Sequence, residues 1–124
     1  MGNARTKSAF LILIALLALG AAVSAFGRTS STAATTVAVT AGKPAELKFT
    51  LSKTAIAKGV TTFKVTNKGK TVHNFKIAGK KTPLLNAGKS ASIKVTFTKA
   101  GKFPYLCTVP GHAPAGMKGT LTVK

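Results

Sequence analysis

Residues 103–117 read FPYLCTVPGHAPAGM, and the reading of this stretch decides the fold. Phe103, Tyr105 and Cys107 fall at every second position, the period of a strand with one buried face, so the only cysteine of the chain ends a strand with its thiol turned inward. Pro110 and Pro114 then restrict the backbone while Gly111 and Gly116 allow tight turns, which describes an ordered loop. The loop closes on Met117, which has the parity of Leu121 and Val123 in a last strand. Cysteine, histidine and methionine stand at Cys107, His112 and Met117, four residues between each pair.

Working outward, the same period of two recurs upstream. Leu47, Phe49 and Leu51 share a parity, as do Phe63 and Val65, and Ile93, Val95 and Phe97. Val, Ile, Thr and Phe suit a pleated, half-buried surface. Turn residues at 67–70, 86–89 and 99–101 separate the runs, and no segment after residue 36 has a helical period. About seven to eight strands at roughly ten-residue spacing predict an all-β fold, an antiparallel Greek-key β-sandwich over residues 37–124. Lys48, Lys64, Lys76 and Lys94 take the opposite parity and are expected on solvated faces, where lysine also discourages edge-to-edge pairing.

A second histidine, His73, stands 34 residues before Cys107 and shares parity with Phe75 and Ile77, so its imidazole is expected to point inward at the start of a strand. Taken singly, a core cysteine, a hydrogen-bonded histidine and a packing methionine each have ordinary structural explanations. Together, one thiolate, two imidazoles and one thioether form the ligand set of a mononuclear blue-copper site, with the thioether long and axial. Zinc fits less well, because its usual ligands are Cys, His, Asp and Glu rather than Met.

The pattern Val72-His-Asn-Phe75 followed by residues 105–123 (YLCTVPGHAPAGMKGTLTV) resembles the cupredoxins, and among them the azurin, auracyanin and plastocyanin-like group. The resemblance implies a sandwich of eight strands or slightly fewer with one type 1 copper ion near one end. It implies His73, Cys107 and His112 as equatorial ligands and Met117 as the axial one. Asn74 matches a family position that ties the two ligand loops together and hydrogen-bonds near the sulfur. The short interval between His73 and Cys107 implies that no helix or flap is inserted there.

Composition narrows the function. The 124 residues include 19 Lys and Arg against a single acid, Glu46, for a net charge of +18. Paired-carboxylate hydrolysis, EF-hand calcium sites and carboxylate-held magnesium all need acids that the chain lacks. A second copper cluster would need histidines beyond His73 and His112, and a nucleophilic Cys107 would need an acid to orient its base, for which none is expected. The reading is a non-enzymatic electron carrier, with copper storage, delivery or sensing as the alternative. By resemblance, electrons leave through His112, flanked by Val109, Pro110, Ala113 and Pro114. The charge predicts acidic redox partners docking near His112, or an anionic membrane surface, with strong salt dependence and a monomeric state. Scattered lysines, two Arg and few aromatics argue against nucleic acid.

At the other end, Arg5 and Lys7 precede an apolar run over residues 9–23, and Val23, Ser24 and Ala25 form a cleavage-like site. Residues 1–25 are expected to be a signal peptide or membrane anchor, with 9–26 as the tether if uncleaved, and 26–36 a Ser/Thr-rich linker. Either version predicts export to the periplasm or cell exterior. A lone cysteine there has no internal disulfide partner.

Overall fold

The structure, a computed structural model, describes residues 34–124. The expected signal or anchor and most of the expected linker lie outside the described residues. Nine strands follow in order: β1 (Thr35–Ala41), β2 (Phe49–Leu51), β3 (Ala55–Ile56), β4 (Gly59–Asn67), β5 (Lys76–Ile77), β6 (Lys80–Lys81), β7 (Ser90–Phe97), β8 (Gly101–Leu106) and β9 (Lys118–Val123). There is no helix among the described residues. The first strand begins at Thr35, inside the stretch read as linker, because Thr35 and Thr36 already pair with Thr61 and Thr62.

The strands form two sheets, ordered β2-β1-β4-β7 and β3-β9-β8-β5-β6. The sandwich is as expected, but the sheets are mixed rather than antiparallel throughout. β1 runs parallel to β4, and β3 parallel to β9. After the β1–β2 pair the chain crosses to the second sheet at β3, and on returning lays β4 beside β1 in the same direction. Apolar alternation marks which face a side chain takes and carries no information on the direction of the neighbouring strand.

Alternation places the core as anticipated. Val37, Val39, Phe63, Val65, Val95 and Phe97 from the first sheet meet Ile77, Tyr105, Leu121 and Val123 from the second, all buried. Phe75 joins the layers: its ring lies 5.4 Å from each of Phe49, Phe63 and Tyr105. Burying one such ring is worth roughly 1.5–3 kcal/mol, so this cluster, two residues from His73, anchors that segment firmly.

The strand expected to start at His73 is interrupted. His73 makes an isolated bridge with Leu85, and regular pairing resumes only at Lys76. Between them Phe75 receives a side-chain partner, donating its N–H to Thr82 Oγ1 at 3.1 Å, and Asn74 reaches across to Thr108. The backbone is thereby pinned by side chains where a ladder would otherwise run.

Candidate metal centre

Three loops at one end of the sandwich build the site. The β8–β9 loop, which starts at Cys107, is closed by its own backbone: Cys107 N–H donates to the Met117 carbonyl at 3.1 Å, Met117 N–H to His112 at 3.0 Å, and His112 N–H to Val109 at 3.1 Å. Cys107 and Met117 are buried together with Ala41, packed by Leu47, Phe49 and Val109. His73 is fully buried and His112 is half-buried.

One ligand atom from each of His73, Cys107 and His112 lies within 4.8 Å of the others. The two Nδ1 atoms face each other at 3.2 Å, and Cys107 Sγ lies 3.6 Å from His112 Nδ1. Two imidazole nitrogens and a thiol sulfur converging in a buried corner, beside a buried thioether, suit a soft cation that accepts sulfur and nitrogen, and the residues therefore fit copper. The four residues singled out in the sequence are thus brought together. Asn74 Nδ2 donates to Thr108 Oγ1 at 2.6 Å, and Thr108 N–H donates back to Asn74 Oδ1 at 2.7 Å, which ties the His73 segment to the residue after Cys107.

The sequence reading missed Glu46, and the expectation that no acid orients a histidine is overturned. Glu46 sits in the β1–β2 loop, which Gly42 N–H closes on the Lys48 carbonyl at 2.9 Å. Its carboxylate accepts from Lys70 N–H at 2.9–3.0 Å, from Thr71 N–H at 2.9 Å, from Thr71 Oγ1 at 2.8 Å and from His73 Nε2 at 2.9 Å. The two backbone donors above all, then the Thr71 hydroxyl, hold the carboxyl down at about 2, with His73 adding to the effect. An ionised carboxylate can only accept, so the proton of the neutral imidazole is on Nε2 and the Nδ1 lone pair faces the cluster. The carboxylate–histidine pairing seen around bound metals has the same form.

Asn67 and Gly69 make this approach feasible. Asn67, fully buried, donates to the carbonyls of Thr71 and Leu85 at 2.8 and 2.7 Å and accepts from Gly69 N–H at 2.8 Å, folding 67–71 into a curl that aims its amides at Glu46. A Cβ on Gly69 would stand 2.6 Å from Glu46 Oε1 and 2.9 Å from His73 Nε2, so only glycine fits. Asn67 read as an ordinary turn residue in sequence. The signal for Glu46 was its singularity, a lone acid among so many lysines.

His112 is held below the ordinary histidine value, chiefly by desolvation and secondarily by the neighbouring His73. Replacing Met117 by leucine keeps volume and removes the thioether donor. With copper bound, the blue colour is expected to survive and the reduction potential to rise by at least about 60 mV, a tenfold change for a one-electron couple, because less donation favours the lower-charged ion. Voltammetry of the variant checks this, and an unmoved potential would remove Met117 from the metal's neighbourhood.

Comparison with known proteins agrees with this geometry. The chain matches the cupredoxin-like domain family over residues 9–123. It is 55% identical over 42 residues to auracyanin-B of Chloroflexus aurantiacus and 51% identical over 41 residues to the copper-resistant cuproprotein CopI of Pseudomonas aeruginosa. Those segments are about a third of this chain, 34% and 33%, but only 18% and 23% of the relatives. Among solved structures, auracyanin B is 28% identical with a TM-score of 0.62, covering 73% of this chain and 89% of its own. Auracyanin A, described as a "blue" copper protein from Chloroflexus aurantiacus, shares the fold at 24% identity and a TM-score of 0.62, covering 72% of this chain and 98% of its own.

Proposed function

The chain belongs to the cupredoxin-like family, and from that premise we propose that it is an exported single-copper electron carrier. The observation that carries the proposal is the convergence of one ligand atom from each of His73, Cys107 and His112 within 4.8 Å, with Met117 buried in the same cluster as Cys107. Those four residues would hold the metal, which supplies a reversible one-electron couple between Cu(I) and Cu(II). The chain's contribution is a cage that changes little between the two states. Glu46 and the Phe75 ring cluster hold His73, the self-closed loop holds Cys107 and Met117, and Asn74 locks the two segments together.

Access is unequal. Cys107, His73 and Met117 are buried while His112 is half-exposed, so His112 is the route by which a partner's electron would reach the site. A buried Cys107 has no room for a substrate at sulfur, and Glu46 orients His73 rather than the His112 imidazole beside the thiol. Both points speak for a carrier rather than an enzyme. The basic surface speaks for acidic partners reached by steered, transient encounters, and like-charge repulsion for a monomer.

Copper handling is the second reading, favoured by the similarity to proteins named copper-resistant cuproproteins. Passing a metal on favours sulfur or imidazole groups at the surface, and among the described residues His112 is the only such group with appreciable exposure.

Adding Cu(II) to the protein tests both. An intense visible thiolate-to-copper band with narrow hyperfine splitting, followed by fast reversible reduction, is the expected result. A colourless tetragonal signal overturns the site, and rapid transfer of the ion to an apo-acceptor without redox cycling favours copper handling.

A further inference from the structure

We propose that the outer face of the second sheet, at its metal end, is the docking surface for an acidic redox protein, centred on Leu106. The proposal rests on the electron-carrier reading and deepens it by placing the partner.

Strand register makes the case. Leu106 on β8 stands opposite Lys118 on β9 and Lys76 on β5, and Lys76 stands opposite Lys81 on β6. One row across four strands therefore reads Lys118, Leu106, Lys76, Lys81. Tyr105 and Cys107 on either side of Leu106 are buried, so the row faces outward, with its three lysines exposed and Leu106 half-buried. Lys102 lies further along the same face of β8.

Like charges directly opposite each other, as at Lys76 and Lys81, weaken a strand pair. No acid of the chain relieves them, because its only one, Glu46, is committed to Lys70, Thr71 and His73. Carboxylates on a partner would. The first sheet is built differently: its outer face presents Thr62, Thr66, Ser90, Ser92 and Thr96 with only Lys64 and Lys94 among them. The concentration of charge is thus a property of one face, superimposed on the general basicity.

The row also lies against the metal centre. Leu106 precedes Cys107 and Lys118 follows Met117 in the chain. Lys81 borders a groove with Val72, Leu84, Val109 and Pro110, and Leu84 is 62% exposed. Charge and apolar surface are therefore continuous from the sheet to the loop that carries His112. A partner held there would touch Leu106, the neighbour of Cys107 in the chain, and its carboxylates would be drawn in by a field of complementary sign.

Two copper-loaded variants with equal change in net charge test the surface: Lys76→Glu with Lys118→Glu, and Lys64→Glu with Lys94→Glu. At low salt, oxidation of the Cu(I) protein by hexacyanoferrate(III), in which one electron leaves copper and reduces Fe(III) to Fe(II), should slow by about tenfold or more in the first variant and clearly less in the second. Poly-L-glutamate, standing in for an acidic partner, should shift amide signals centred on Leu106, Lys76, Lys81 and Lys118. Equal slowing in both variants, or shifts spread over both sheets, overturns the proposal while leaving the carrier intact. Binding to phosphatidylserine vesicles that the first variant alone loses, with poly-L-glutamate binding unchanged, also overturns it and assigns the face to a membrane. A wild-type Cu(I) protein oxidised neither by hexacyanoferrate(III) nor by cationic tris(phenanthroline)cobalt(III) removes the carrier reading beneath it.

Discussion

Cys107→Ser should abolish the visible charge-transfer band completely and weaken copper binding by more than about 100-fold. Only a thiolate supplies that transition, and serine offers a hard, protonated oxygen in its place. Loss of a group that merely supports a ligand costs roughly 10–100-fold in metal affinity, so losing the ligand itself should exceed that range. Cys107 is 1% exposed, and a hydroxyl left there without a partner costs about 1–3 kcal/mol of stability. Circular dichroism and a melting curve of the metal-free variant separate this loss from unfolding. A variant that stays blue would show that the sulfur is no ligand and that the electron-carrier reading lacks its basis.

Glu46→Ala should have the second largest effect, although its side chain touches no sulfur and remains 36% exposed. Removing the carboxylate strips the acceptor from Lys70 N–H, Thr71 N–H, the Thr71 hydroxyl and His73 Nε2 at once. The imidazole then loses what selects its tautomer and fixes its plane. Copper affinity is expected to fall roughly 10–100-fold and the spin spectrum to broaden. Glu46→Gln should recover much of this, since its amide oxygen still accepts from Nε2, whereas a purely electrostatic role would leave both variants equally impaired. Unchanged copper release in Glu46→Ala would overturn the assignment. The metal-free protein offers a further check. The carboxyl lies at about 2 when folded against an ordinary 4.5, so its contribution to stability is present above about pH 4.5 and is lost as the pH falls through about 2. The melting temperature of Glu46→Gln should accordingly lose part of the wild-type decline over that interval.

Much of the fold and site is legible in the sequence. Alternation of Phe103, Tyr105 and Cys107 correctly turned the thiol inward, and the same reasoning buried Phe63, Val65, Val95, Phe97, Leu121 and Val123. The reason is local: in a strand, neighbouring side chains leave on opposite faces, so position along the chain decides burial once one face is known. Spacing in the Cys107–Met117 loop was equally informative, because prolines and glycines leave it few conformations. His73 is harder to place, since its segment is held by Thr82 and Thr108 side chains and not by a regular ladder.

Residue types and their period thus determined the all-β class, the inward faces and the donor set. Tertiary structure decided everything that depends on which distant segments become neighbours. The parallel pairing of β1 with β4 follows from a crossing between sheets that alternation does not record. Glu46 meets His73 across 27 residues of sequence because Asn67 curls the intervening loop and Gly69 leaves room at the contact. The row of Lys118, Leu106, Lys76 and Lys81 exists only in the register of four strands. Burial is written along one strand at a time, whereas register, ligand orientation and surface charge pattern arise between strands, where the competing arrangements are settled by packing of the whole core.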